Sequence, residues 1–288
     1  AAPVYTGNET KLIFPSDHPL YRGLLFQQSH AIRRVATSAD VLLEIGSDVF
    51  KFDDQADSPV VPPATRVIQI DLDACALARF CPTEVALLAN PKLALAQLRK
   101  AVEPLLDKAR HVERMAQLRE EHQQRKDFVE SCLNADPGLV PVHWGAAFRE
   151  IAAALPGNAA VVDELASFYG QLPKVIGFRE PGSYFTCVDS LGWGVPAALG
   201  VAMGRPDQAI VALLGDGGAM FCIQALWSAA RYQVPIVFVV FNNGRNRDVD
   251  IGGLKIAPDG TTAGPVTLTP GEGGITARAN IALDQDGV

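Results

Sequence analysis

Short apolar runs that each stop at a glycine or a polar residue, spaced by stretches of helical length, narrow most sharply what this chain can fold into. Ala209–Leu214 (AIVALL) stops at Gly215-Asp216-Gly217-Gly218, and Ile236–Phe241 (IVFVVF) stops at Asn242-Asn243-Gly244. Runs this apolar suit strands buried on both faces, as in parallel sheets. Ala219–Tyr232, between them, reads as a helix, and strand, helix and strand in this order make a βαβ crossover. Polar residues collect at the carboxyl ends of both strands, where open parallel sheets bind ligands.

The same grammar recurs upstream. Gly23–Ala36 has helical spacing. Val41–Ile45 (VLLEI) reads as a strand ending at Gly46, Arg66–Leu72 (RVIQIDL) as a second strand, and Pro91–Leu106 as a helix, with an Asp- and Pro-rich loop over Asp53–Pro63. Residues 107–132 are dense in charge of both signs and read as an exposed or bridging helix. Beyond them, Val142–Leu155 reads as a helix stopped by Pro156-Gly157, Ala159–Asp163 (AAVVD) as a strand, and Leu191–Met203 as an Ala- and Gly-rich helix that packs closely. The expected fold is α/β, with two doubly wound parallel-sheet domains. The boundaries expected are a first domain at 1–106, a connector at 107–137, a second domain at 138–245 and an unassigned tail at 246–288.

The tail differs in kind. From Asn242 to Val288 there is no aromatic residue in 47, against 21 in the whole chain, and nine of the 47 are glycine. Proline and glycine at these positions leave no room for a three-turn helix between Asn246 and Gly274. An irregular or extended Gly-rich segment is expected, with a short hairpin from Val266–Leu268 and Ile275–Ile281.

Charge and composition exclude several function classes. Lys+Arg 25 against Asp+Glu 32 gives a net charge of −7, which disfavours a basic nucleic-acid surface. No apolar run reaches the roughly 18–20 residues of a membrane helix. The first residues, AAPVYTGNETKL, have no basic start followed by an apolar core, so no signal peptide is expected. Five cysteines, odd in number and without a CxxC, read as reduced thiols of a cytoplasmic protein.

Asp216 and Asn243 lie 27 residues apart. Asp-Gly and Asn-Gly are each common turn pairs. If the two flanking strands are neighbours, however, a carboxylate and an amide oxygen converge at one sheet edge, where the backbone carbonyl of Arg245 can join them. Three oxygen donors with one formal charge suit a magnesium ion that also holds phosphates and water. Gly217 and Gly218 let the backbone approach a diphosphate, and the start of the following helix favours anions.

The segment GDGGAMFCIQALWSAARYQVPIVFVVFNN resembles the thiamine-diphosphate fingerprint, Gly-Asp-Gly followed by just under thirty residues and Asn-Asn. SYFTCVDSLGWGVPAALGVAMGRPD is similar to the segment before that fingerprint in 2-oxo acid decarboxylases and acetolactate-synthase-like enzymes. PSDHPLYRGLL, VLLEIGSDVF and RVIQIDLD resemble their middle domain, and EPGSYFTC and ALWSAARY resemble the benzoylformate decarboxylase branch. The resemblance spans about residues 1–245.

It implies a Rossmann-like middle domain and a thiamine-diphosphate-binding domain. Asp216 and Asn243 would hold magnesium, with the Arg245 carbonyl as third protein ligand. Gly215 belongs to the diphosphate motif, and Gly217 and Gly218 would donate N–H to the diphosphate. Leu191 sits where a bulky apolar residue props the cofactor in its bent shape. Asp189 or Ser190 occupies the place whose carbonyl accepts from the aminopyrimidine. Glu164 and Ser167 match a loop near the phosphate end. The activity implied is that of a lyase on a 2-oxo acid, decarboxylase or carboligase, in a homo-oligomer or with a partner pyrimidine-binding domain.

In such enzymes the proton-transferring glutamate lies on a first domain, which is expected to be absent from this chain, so no catalytic residue is assigned. The opening strand and helix of the middle domain are likewise expected to be missing. After Gly244 the chain reads RNRDVDIGGLKIAPDG in place of the family's aromatic-containing helix. A fragment, a split subunit or a truncated gene with foreign sequence is the expectation, and an isolated chain is expected to be inactive. A silent cofactor-binding module is the alternative. A nicotinamide dehydrogenase is disfavoured, because GxGxxG is missing after a strand and Gly192-Trp193-Gly194 has no clear strand before it.

Overall fold

The computed structural model describes residues 1–7, 11–51, 56, 58–134, 136, 142–187, 190–242, 250–256 and 262–263, the last two segments by their backbone. The chain divides into two units. One comprises Ala1–Glu9 and Pro19–His122, the other Thr10–His18 and Gln123–Val288.

In the first unit, β1 (Val4–Thr6) pairs in parallel with β2 (Tyr21–Leu24). Helix α1 (Ser29–Thr37) follows. Strands β3 (Val41–Ile45), β4 (Arg66–Asp71) and β5 (Val85–Leu88) form a parallel sheet in that order. Helix α2 (Pro91–Val102) is started by the Asn90 side chain, which accepts from the Lys92 and Leu93 N–H groups, with Pro91 at the first helical position. Ile32, Ala36, Phe50, Val60, Val61, Val67 and Cys81 make its core.

The helical spacing from Gly23 does not produce a helix there. Gly23 has φ +101°, outside the right-handed helical region, and the Leu25 N–H is taken by the Thr6 carbonyl at 2.8 Å. The chain therefore leaves as a strand, and α1 begins only at Ser29. Helix α3 (Lys108–Leu133) carries the charged stretch.

The second unit holds β6 (Ala160–Glu164), β7 (Tyr184–Thr186), β8 (Ile210–Gly215), β9 (Val237–Asn242), β10 (Asp250–Ile256) and β11 (Thr262–Ala263), in the sheet order β11-β10-β9-β8-β6-β7. Strands β7, β6, β8 and β9 run parallel. The helices are α4 (Trp144–Ala154), α5 (Leu172–Val175), α6 (Gly194–Gly204), α7 (Asp216–Met220) and α8 (Ala225–Arg231).

Strand side chains alternate between faces. Val161, Leu213, Val239 and Phe241 join Phe148 and Leu172 in one core. Val162, Ala212, Leu214 and Phe238 join Val195 and Ala198 in another. A sheet covered on both faces explains why its strands read as unbroken apolar runs.

Two local expectations change. Helix α6 starts at Gly194, not at Leu191, because Gly192 has φ +87° and interrupts the helical geometry. The expected helix over Ala219–Tyr232 divides into α7 and α8, joined by tight turns in which Phe221, Cys222, Ala225 and Leu226 each donate to the carbonyl three residues back. In the tail, where an irregular or extended chain is expected, the described backbone of Asp250–Ile256 is extended and pairs antiparallel with β9. The edge of β9 presents a row of unpaired N–H and C=O groups, and a glycine-rich strand satisfies it. The hairpin expected at Val266–Leu268 and Ile275–Ile281 lies outside the described residues.

Phe148 is fully buried and meets Phe168 and Phe241 at ring-centroid distances of 6.0 and 5.7 Å. Phe148→Ala is expected to destabilise the second unit by about 3–5 kcal/mol. All three tryptophans lie in that unit, so urea unfolding followed by their fluorescence reads the loss directly.

Candidate functional site

Strands β8 and β9 are parallel neighbours, with Gly215 level with Phe241. Asp216, the next residue, opens α7 one step beyond the strand, as Asn242 closes β9. The carboxyl ends of the two strands thus bring the Gly-Asp-Gly turn and the first asparagine to one edge. Asn243 and Arg245 lie outside the described residues, as does Asp189.

Asp216 is half-buried, and among the described residues its carboxylate enters no ion pair. Gly217 is exposed, and a Cβ built on it would meet nothing within 4 Å. At Gly215 the nearest such atom is the Glu164 carbonyl oxygen at 4.0 Å. A hard carboxylate oxygen beside open backbone fits a magnesium–diphosphate group. Among the described residues, no three His, Cys, Asp or Glu side chains gather as a metal cluster.

Two consecutive carboxylates end β6 and turn to opposite faces. Both are almost completely buried. The Glu164 carboxylate accepts from two backbone N–H groups, that of Gly192 on one oxygen and that of Gly194 on the other. These are charge-assisted bonds, and they fix the turn that leads into α6. Glu164, expected as a contact at the cofactor's phosphate end, therefore has both oxygens engaged by the chain itself.

Asp163 accepts from the Tyr184 hydroxyl at 2.8 Å and from the Leu165 N–H at 3.0 Å. Burial nevertheless pushes its carboxyl up to about 6, against the pull of the Tyr184 and Leu165 bonds, and the neighbouring Glu164 charge adds to the rise.

Leu191 is 52% exposed, although it is a large apolar residue on a turn held from behind by Glu164. Ser190, beside it, is exposed. Ser167 sits exposed in a single 3₁₀ turn, Ala166–Phe168, just after β6. Gly218 is half-buried, and a Cβ there would lie 2.7 Å from a Glu164 carboxylate oxygen. The structure thus groups Glu164, Gly192, Gly194 and Gly218. Gly192 and Gly194 were missed as partners of a buried acid, and the signal for them was the Gly-x-Gly spacing around Trp193.

Residues 1–98 match the family model described as the central domain of thiamine pyrophosphate enzymes, and residues 167–249 match their C-terminal TPP binding domain. Benzoylformate decarboxylase of Pseudomonas aeruginosa is 32% identical over 236 residues, covering 80% of this chain and 41% of that protein. Acetolactate synthase isozyme 2 large subunit of Escherichia coli is 26% identical over 80% of this chain and 40% of its own length. Among solved structures, the thiamine diphosphate-dependent 4-hydroxybenzoylformate decarboxylase of Rhodococcus jostii RHA1 superposes with a TM-score of 0.67 at 27% identity, covering 84% of this chain and 43% of that one. The chain spans less than half the length of these relatives.

The buried Asp163 makes stability depend on pH. Its folded value, about 6, lies above its ordinary 3.8, so its contribution is fully present below about 3.8 and is lost as pH rises through about 6. The separation corresponds to about 3 kcal/mol. In Asp163→Asn this rise in stability between pH 7 and pH 4 should vanish, which urea unfolding at a series of pH values measures.

Proposed function

The chain belongs to the thiamine pyrophosphate enzymes, carrying their central and C-terminal TPP-binding domains, and on that premise we propose that it anchors thiamine diphosphate through magnesium for a 2-oxo acid decarboxylase or carboligase. One observation carries the reading: the parallel pairing of β8 and β9, which puts Gly215-Asp216-Gly217 and Asn242 at the same sheet edge within the matched domain.

In this reading Asp216 and Asn243 hold the metal through side-chain oxygens, and the Arg245 carbonyl completes the protein's share. Gly217 and Gly218 donate backbone N–H to the phosphate oxygens. Leu191 supports the cofactor's bent form from its exposed turn. The carbonyl of Asp189 or Ser190 accepts from the aminopyrimidine, and Ser167 lies toward the phosphate end. When bound, thiamine diphosphate supplies the electron sink that lets carbon dioxide leave a 2-oxo acid. None of this chain's residues is assigned the proton-transfer role, which we place on a partner pyrimidine-binding domain. The likeness to a benzoylformate and a 4-hydroxybenzoylformate decarboxylase supports an aryl 2-oxo acid as substrate. The five cysteines are all unpaired, which supports a cytoplasmic setting.

Asp216→Ala tests the metal arm. It removes the one charged ligand and leaves the diphosphate charge uncompensated. Magnesium-dependent thiamine diphosphate binding, read by calorimetry, should fall at least 100-fold, with circular dichroism unchanged. Unaltered affinity would remove Asp216 from the site.

A further inference from the structure

We infer that Glu164 is a positioning residue for the cofactor site. Its buried carboxylate clamps the Ser190–Gly194 turn against the end of β6 through the Gly192 and Gly194 N–H groups, with Gly218 of α7 packed close beside it. The inference rests on the reading of this edge as the thiamine diphosphate site and gives Glu164 a role that needs no contact with the cofactor.

Two stretches of backbone close in on one acid. The Gly192 and Gly194 N–H groups each donate to a separate oxygen of Glu164. A Cβ at Gly194 would stand 2.7 Å from one of those oxygens and 2.5 Å from Leu214 Cδ2, and a Cβ at Gly218 would stand 2.7 Å from the other oxygen. At Gly192, where φ is +87°, a Cβ would stand 2.6 Å from Phe221 Cβ. Glycine at these three positions is what lets the turn, α7 and the residues after it crowd together.

The residues read as meeting the cofactor are neighbours of this clamp on the chain. Ser190 and Leu191 immediately precede Gly192, and Asp216 and Gly217 immediately precede Gly218. Leu191 is half exposed and has little packing of its own to hold it. Its place is therefore set by the turn, and the turn by Glu164.

Both oxygens must accept. In Glu164→Gln the side chain keeps its size but turns an NH₂ toward one of two N–H donors, so one bond is replaced by opposed donors. A purely structural role predicts a loss of stability only. Val162→Ala serves as the comparison, because it truncates a fully buried residue two positions away on the same face of β6.

The experiment uses the full chain with magnesium. Calorimetry measures thiamine diphosphate affinity, and amide hydrogen exchange by NMR follows Gly192 and Gly194. Expected are at least tenfold weaker binding in Glu164→Gln together with faster exchange at both amides, and binding within twofold of wild type in Val162→Ala. Equal affinity in Glu164→Gln and wild type, or unchanged protection of both amides, would overturn the inference. Equal weakening in the two variants would overturn it too. If circular dichroism shows Glu164→Gln unfolded, Glu164→Asp, which keeps the charge and shortens the reach, is read by the same two measurements and decides. Wild-type chain that binds no thiamine diphosphate would instead bring down the reading of the site, and the inference with it.

Discussion

The site depends on one pairing, the parallel ladder between β8 and β9 in the register that sets Gly215 level with Phe241. Parallel strands place their carboxyl ends on the same side, so loops that follow them share one edge of the sheet. A slip of one residue would exchange the faces of every side chain on β9. Phe238 and Phe241 lie in opposite cores and hold that register from both sides. The chemistry proposed at the edge therefore inherits its geometry from the packing of the sheet.

The same edge shows how a fold tolerates acids in its interior. Asp163 and Glu164 are adjacent, buried and turned to opposite faces. Glu164 gains two backbone donors, so its charge is spent on ordering a turn. Asp163 gains a hydroxyl and one N–H, and that is insufficient to offset its desolvation, so its carboxyl rises to about 6. The contrast lies in where the strand ends: the outer acid meets a turn with free N–H groups, and the inner acid meets the neighbouring strand.

Much of the second unit was legible because its strands are buried on both faces. AIVALL and IVFVVF announce themselves by composition, and both strands fall within a residue of their expected limits. Elements that rely on partners were harder to see. Strand β5 is exposed along its whole length, β7 has three residues, and β10 gains its order from the edge of β9. The start of α6 was misread because Leu191 is apolar and fits a helical spacing, whereas the Glu164 bonds that hold the turn join residues about thirty positions apart. The edge that gathers Asp216 was readable from strand order alone. The clamp behind it was not, since a buried glutamate looks like any loop acid until its burial is known.

Calorimetric titration of thiamine diphosphate into the full wild-type chain, with magnesium and again after chelation, tests the central claim most directly. The account predicts saturable one-to-one binding that needs the metal, and no binding of thiamine lacking the diphosphate. Equal binding with and without magnesium, or no binding in either case, would contradict it.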